Sequence, residues 1–340
     1  MAFDMAWRHA LRDAGLGFGG APLGNLFTAL ADDAAIALVR HAYAAGTRYF
    51  DTAPHYGNGL SEQRIGVALR SLPRESLLLS TKVGRGLSAA SNAPRAQHGY
   101  VDVLPYVQHY DYSRDGVLRS LADSLRRLDQ PRVDFVYVHD LDVATHGDAF
   151  AGHFRALLES GLPALAALKA EGTIRGYGLG VNSVDVCLQT LRHADLDLIL
   201  LAGRYTLLDQ TALAELLPEC ARRQVGIVLG GPFNSGILAS GAHPADNAPT
   251  YFNYAPAPPD IVARVAAIEA TCAEFGVPLA AAALQFPPAH PAVLSVIPGA
   301  RTIAEFDANR RFAAWSIPKS LWQALRDRRL IADGAPLPQC

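Results

Sequence analysis

Apolar residues fall into short, nearly uninterrupted runs, and amphipathic stretches separate them. The runs cover residues 16–19, 48–50, 77–80, 133–139, 175–181, 196–201, 225–229 and 293–297. None alternates cleanly between polar and apolar positions, so each reads as a strand covered on both faces, as in a parallel sheet. The intervening stretches carry apolar residues at helical spacing. Ile36, Val39 and Tyr43 mark a helix over 32–45, and Val117, Leu118, Leu121, Leu125 and Leu128 mark one over 114–128. Further helices are predicted over 61–69 (with Ser61 as its cap), 163–170, 184–191, 209–222, 260–275 and 303–312. Eight strands alternating with eight helices predict an α/β chain folded as a (β/α)8 TIM barrel, a single domain over 1–340, with 319–331 as an extra carboxyl-terminal helix. A doubly wound open sheet is the rival reading, but such sheets seldom run to eight regular units.

Three connections exceed the usual few residues: 84–113, 141–161 and 233–259, the last with prolines at 244, 249, 256, 258 and 259. All follow strands. In a barrel, loops after strands gather on the catalytic face, so these three are expected to shape one substrate pocket.

Composition narrows the class. Of the 340 residues, half are hydrophobic and 18% charged, which fills a large core and argues against disorder. The net charge of −2 gives no basic footprint for nucleic acid or an anionic membrane, and neither partner is expected. The start, MAFDMAWRHALRD, has no apolar stretch of the signal-peptide kind, and no run approaches a membrane span. Cys187, Cys220, Cys272 and Cys340 are widely spaced, which suits a reducing cytoplasm better than a disulfide framework. A cytoplasmic enzyme, monomer or homodimer, is the expectation.

Two motifs invite over-reading. Gly15, Gly17 and Gly20 satisfy GxGxxG, but a charged, helix-like segment (7–14) precedes them and Ala21-Pro22 follows, so tight turns or close backbone approach explain them better than a dinucleotide fold. His139, Asp140, Asp142, His146, Asp148 and His153 are dense enough for a metal but show no defined ligand spacing, and no metal is expected. A third constellation is sharper. Asp51 and Tyr56 follow one strand (YFDTAPHYGNG), Lys82 ends the next (LLLSTKVG), and His139 ends the one after (VDFVYVHD). Singly, each is more often structural. Together, at the carboxyl ends of adjacent apolar strands, they point to a polar site on one rim.

DTAPHYG, the strand-ending STK, VHD and GLGVNS resemble the aldo-keto reductases, over roughly 16–312. DYSRDGVLRSLADSLRRLD, VDFVYVHDLD and LLAGRYTLLDQ are similar to the branch that oxidises aldoses, which includes D-threo-aldose, L-fucose and L-galactose dehydrogenases and pyridoxal 4-dehydrogenase. The resemblance implies a catalytic tetrad of Asp51, Tyr56, Lys82 and His139. Lys82 would lower the pKa of the Tyr56 phenol, Asp51 would hold Lys82, and His139 would orient the substrate oxygen. It also implies a nicotinamide cofactor. Asn182 and Ser183 stand where the family has Ser-Asn for the carboxamide. Ala202 stands in place of the usual glutamine, and Gly230 in place of the stacking aromatic. Gly231, Pro232, Phe233, Asn234, Ser235, Gly236 and Leu238 resemble the pyrophosphate loop. Gly19 and Ile297 are placed near the cofactor. At the adenosine end, Gly299 and Glu305 stand where NADP-preferring relatives carry Lys and Arg, with Arg301 close by and Asn309 toward adenine. Glu305 would repel a 2′-phosphate, so NAD is favoured over NADP.

The expected activity is oxidation of the anomeric hydroxyl of an aldose (L-fucose, L-galactose or D-arabinose type) to a lactone. Pyridoxal 4-dehydrogenase or a general carbonyl reductase is the alternative, and a non-catalytic cofactor sensor is a second. A sugar site predicts polar side chains from 84–113 and 233–259. A pyridoxal site predicts a flatter aromatic pocket that recruits Tyr106, Tyr110 or Phe252. About five residues of an amino-terminal hairpin look absent before Leu16, so a thinly covered barrel floor is expected.

Overall fold

The structure, a computed structural model, describes residues 6–244 and 248–339. Cys340, the first five residues of the polar start and 245–247 of the third connection lie outside the described residues. Twelve strands follow in chain order: β1 (Phe18–Gly19), β2 (Tyr49–Asp51), β3 (Leu78–Val83), β4 (Arg85–Ala89), β5 (Tyr106–Tyr110), β6 (Phe135–His139), β7 (Gly176–Val181), β8 (Leu198–Ala202), β9 (Gly226–Gly230), β10 (Tyr251–Phe252), β11 (Ala255–Pro256) and β12 (Val293–Ile297). Eight form one parallel sheet, β1-β2-β3-β6-β7-β8-β9-β12. The seam between its ends is joined by Gly17 N–H donating to Val296 O (2.9 Å) and Gly19 N–H to Pro298 O (3.0 Å), so the sheet is a nearly closed barrel of the predicted (β/α)8 kind. A side chain at Gly17 would lie 2.7 Å from Ile297 Cγ2 and 2.9 Å from Tyr49 Cδ1, so glycine is needed to bring the seam together. Gly15, at φ 60°, ends the first helix. These roles account for the GxGxxG match.

Two apolar cores result. One lies between strands and surrounding helices. The other fills the barrel interior with Tyr49, Leu78, Phe135, Leu198, Val228 and Leu294, and is completed by Trp7 and Leu11. Those two are the large apolar residues of the helix Ala6–Ala14, four residues apart on one face among alanines and polar side chains. Trp7 meets Phe135 edge-on at 5.3 Å. Arg12 donates to Pro291 O at 2.8 Å, and Arg8 donates to Gln224 O, tying the helix across the barrel end. The expected thin floor is therefore corrected: a plugging helix does the work of a hairpin.

Other differences have local causes. The helix predicted over 209–222 begins only at Leu216 (Leu216–Arg223). Asp209 and Gln210 side chains bond nearby groups in the preceding turn, at Thr211 N and Thr206 O, in competition with helix. Ser61 is not the cap of Leu60–Leu69: its hydroxyl donates to Gly20 O at 2.7 Å, fastening that helix to the seam. A helix at Leu279–Gln285 was not predicted, because its LAAAALQ sequence lacks an amphipathic stripe. The connection 84–113 contains the antiparallel hairpin β4–β5. No single helix among the described residues is long and apolar enough to cross a membrane.

Candidate active site

Side chains two apart on a strand share a face. Asp51, Lys82 and His139, at the carboxyl ends of β2, β3 and β6, thus point into the mouth of the barrel, and the turn after β2 brings Tyr56 over them. Lys82 Nζ donates to Asp51 Oδ2 at 2.6 Å and to Thr52 O at 2.9 Å, and both side chains are almost fully buried. Ser80 Oγ donates to Asp51 Oδ1 at 2.7 Å. Lys82 Nζ lies 4.7 Å from the centroid of the Tyr56 ring. The His139 ring stands perpendicular to Tyr56 with centroids 5.9 Å apart. The four residues picked out by sequence are therefore one cluster.

Burial pushes the Tyr56 phenol well above its usual pKa, and the Asp51 carboxylate and the nearby Tyr100, Tyr254 and Asp140 add to the rise. In the free protein the net effect is upward, so the expected help from Lys82 does not by itself ionise Tyr56. The ammonium makes its hydrogen bonds to Asp51 and the Thr52 carbonyl, and Tyr56 rests as a neutral phenol. Burial, with the cations of Arg85 and Lys82 and the His55 ring, holds His139 well below the usual imidazole range, so it is neutral at pH 7. Its Nε2 lies 3.5 Å from Asp140 Oδ2, whereas Nδ1 is buried with no partner. That atom is an unmet hydrogen-bonding group beside the cleft.

A second network borders the cluster. Asp140, at φ 46°, pairs with Arg85. Arg85 Nη1 also donates to Gln108 Oε1 at 3.0 Å, and His55 Nδ1 meets the same oxygen at 3.0 Å. His146 Nε2 pairs with the Tyr112 hydroxyl at 2.9 Å, and that hydroxyl lies 2.9 Å from the His139 carbonyl. Of the suspected metal ligands, Asp140 pairs with Arg85, Asp142 Oδ1 accepts from Thr145 N at 2.8 Å, and His146 pairs with Tyr112, so these three belong to a polar rim. Among the described residues no three His, Cys, Asp or Glu side chains converge as a ligand set.

The cleft above Tyr56 has a volume of ≈ 560 Å³. Connection 84–113 supplies His98 and Tyr100, the third connection supplies Asn253 and Tyr254, and Asp140, Asn182 and Arg204 line the far wall. Tyr106, Tyr110 and Phe252 are not part of it. Tyr110 instead packs against the Arg85 guanidinium, 5.0 Å away. Sequence reasoning missed Arg85, Arg204, His55 and Tyr100. The available signal was a cation two residues past the end of an apolar strand, which both Arg85 and Arg204 show.

The residues assigned to a cofactor are spread out. Asn182 lines the cleft, and its side-chain amide makes no hydrogen bond among the described residues, so a carboxamide fits the free donor and acceptor there. Ser183 caps the helix Val184–Leu191. Gly231, Asn234, Ser235 and Gly236 all have positive φ. In this loop Ser235 Oγ accepts from Tyr254 N (2.9 Å) and keeps its own proton to donate. Asn234 bonds Thr206 Oγ1 (2.5 Å) and Gly203 O (3.1 Å). Phe233 packs against the core, and Pro232 and Leu238 are buried. Gly19 and Ile297 lie in the barrel wall at the seam. The Gly299 carbonyl accepts from Asn309 Nδ2 (3.4 Å). Glu305 Oε2 accepts from Arg301 N (2.8 Å), and Oε1 faces its guanidinium (3.3 Å).

A model of the aldo/keto reductase family matches residues 15–327. The chain is 42% identical to a pyridoxal 4-dehydrogenase of Microbacterium luteolum over 96% of each chain. It is 41% identical to a D-threo-aldose 1-dehydrogenase of Pseudomonas sp, over 93% of this chain and 94% of that one. Among solved structures, it is similar to an aldo-keto reductase of Bacillus halodurans in its holo form, with TM-score 0.69, 26% identity and coverage of 95% and 94%.

Proposed function

The chain belongs to the aldo/keto reductase family and is a nicotinamide-dependent oxidoreductase; on that premise we propose that it oxidises the anomeric hydroxyl of an aldose, of L-fucose, L-galactose or D-arabinose type, to a lactone. The observation that carries the reading is the cluster in which the Asp51–Lys82 pair underlies Tyr56 and a neutral His139 faces it. Bound near Asn182, an oxidised nicotinamide would supply a hydride acceptor and a positive charge. For the oxidation Tyr56 first gives its own proton to solvent, a loss that the positive charges of Lys82 and of a bound oxidised nicotinamide would favour. The phenolate then takes the hydroxyl proton of the substrate as the carbon gives up its hydride, and in the reverse direction the neutral phenol donates its proton. Lys82 offsets the charge that develops on the phenol, and Asp51 holds Lys82 in place. His139 binds the reacting oxygen, and because burial and the nearby cations make its imidazole a weak base, it does not compete for the proton.

The choice of a sugar rests on His98, Asn253, Asp140, Asn182 and Arg204, which offer donors and acceptors around the cleft. A polyol engages many such groups at once. A second reading, pyridoxal, is favoured by the relative that bears that name and by Tyr100, which stacks with Tyr56 at 6.1 Å and could cover a flat ring. Both substrates close to cyclic hemiacetals, so one proton-and-hydride chemistry serves either. NAD is the proposed cofactor, because the Glu305 carboxylate disfavours a phosphate dianion beside it.

The test is a screen of purified protein with NAD and NADP against the three sugars and pyridoxal, read by absorbance of the reduced nicotinamide. Turnover of at least one sugar with NAD is expected. Turnover of pyridoxal alone would transfer the proposal to the second reading. Tight cofactor binding with no turnover of any substrate would favour a sensing role.

A further inference from the structure

Beneath the catalytic cluster the barrel interior carries a second polar tier. Tyr49 lies two residues before Asp51 on β2, Ser80 two before Lys82 on β3, and Tyr137 two before His139 on β6. The strand register sets Asp51 beside Ser80 and Lys82 beside Tyr137. Each strand therefore places a hydroxyl directly below one charged or titratable group, and the three hydroxyls meet. Tyr137 and Tyr49 oxygens are 3.0 Å apart, Tyr49 and Ser80 2.9 Å, and Ser80 Oγ is 2.7 Å from Asp51 Oδ1. All three residues are fully buried. A barrel interior is ordinarily filled by branched apolar side chains, so three converging hydroxyls call for a reason.

The donor order is dictated by the carboxylate. Ionised Asp51 only accepts, so Ser80 must spend its single proton on it. Ser80 can then only accept from Tyr49, and Tyr49 only from Tyr137. The string is polarised toward Asp51 along its whole length, an arrangement that favours the charged carboxylate. We propose that Ser80, backed by Tyr49 and Tyr137, is a positioning residue that keeps Asp51 ionised and aimed at Lys82. The inference rests on the proposed reading in which that pair serves Tyr56.

Burial, the largest influence, leaves the Asp51 carboxyl above its ordinary range; the Lys82 charge and hydrogen bond and the Ser80 hydrogen bond oppose that rise. The other groups facing Asp51 are the Tyr49, Tyr56 and Tyr137 phenols, all held neutral by burial. Ser80 is thus the one neutral group whose removal both spares Lys82 and exposes the cost of burying this charge.

The experiment follows the carboxyl infrared bands of the cofactor-free protein against pH, with Asp51→Asn identifying the Asp51 band. In Ser80→Ala, Asp51 is expected to take up its proton about one pH unit, tenfold in proton affinity, earlier on acidification. Ser80→Thr should restore the native behaviour, and Tyr49→Phe should produce a smaller shift of the same sign. Should Ser80→Ala fail to fold, Tyr49→Phe, which removes one oxygen and no volume from the barrel, carries the test. Loss of thermal stability with unchanged Asp51 protonation in these variants would overturn the proposal and leave the hydroxyls a packing role. Tyr56→Phe, assayed for turnover alongside, separates the two levels. Full activity in that variant defeats the assignment of the cluster, while the carboxyl band still judges Ser80.

Discussion

At one end of the barrel interior Trp7 and Leu11 pack on Phe135, Leu78 and Leu198, while at the other Asp51 and Lys82 bond each other and His139 faces Tyr56. The same strands line both ends. On β6, Phe135 touches Trp7 and His139, four residues on, faces Tyr56. Between them the lumen shifts from hydrocarbon to hydroxyl to charge. The floor therefore supplies hydrophobic burial, and the mouth contains groups whose burial is unfavourable unless each is paired. Stability and chemistry are segregated along one axis, and a substitution should reveal which end it touches by which quantity it changes.

The largest expected effect is at the mouth. Tyr56→Phe removes the proton-transferring oxygen and leaves the ring, so turnover should fall by about 10²–10⁴-fold with cofactor binding and melting temperature preserved. Steady-state kinetics beside cofactor titration checks this, and a variant that turns over at the native rate ends the assignment. At the floor the signs reverse. Trp7→Ala should cost about 3–5 kcal/mol in chemical denaturation, while folded protein well below its melting temperature keeps the native turnover. A loss of activity without loss of stability would show that the two ends are coupled.

This division was partly legible in the sequence. Apolar runs located the eight barrel strands, because a strand covered on both faces has little room for polar residues. Asp51, Lys82 and His139 stood out because they break such runs at their ends. The floor was misjudged because Trp7 and Leu11 are the only large apolar residues in a nine-residue helix otherwise made of alanines and polar residues, a stripe too narrow to announce a plug. Tyr49, Ser80 and Tyr137 were passed over for the opposite reason: inside apolar runs, hydroxyls read as ordinary strand residues until the register joins them. The cleft wall was hardest. His98, Tyr100, Asn253 and Tyr254 come from long connections whose path depends on the β4–β5 hairpin and on contacts such as that of Ser235 with Tyr254, which no periodicity encodes.

A third expectation concerns pH. His139 and His55 are both held well below the ordinary imidazole pKa, chiefly by burial. The folded state keeps them neutral, whereas the unfolded chain protonates them as pH falls through about 6.5. Their contribution to stability is complete above that pH and is lost below it, at about 1.4 kcal/mol per pH unit for each histidine until the folded state also binds the proton. Urea unfolding across about pH 7 to 5 measures the slope. His139→Asn should make it shallower, and an unchanged slope would mean that the mouth tolerates a charged imidazole after all.

The smallest effect is expected where the mouth meets solvent. Glu305 and Arg301 are about half exposed and bind each other, so either charge acts through a screened medium and is worth under about 1 kcal/mol. Glu305→Gln removes the negative charge that would face a 2′-phosphate and frees the Arg301 guanidinium to bind one. Both changes favour NADP. The ratio of kcat/KM for NADP to that for NAD should therefore rise, by no more than about fivefold. A ratio that stays fixed, or moves toward NAD, would place the adenosine end of the cofactor away from the helix Ile303–Ala313. A rise far above that limit would mean that the bound cofactor buries this pair, extending the low-dielectric character of the barrel mouth to a rim that is open to water in the free protein.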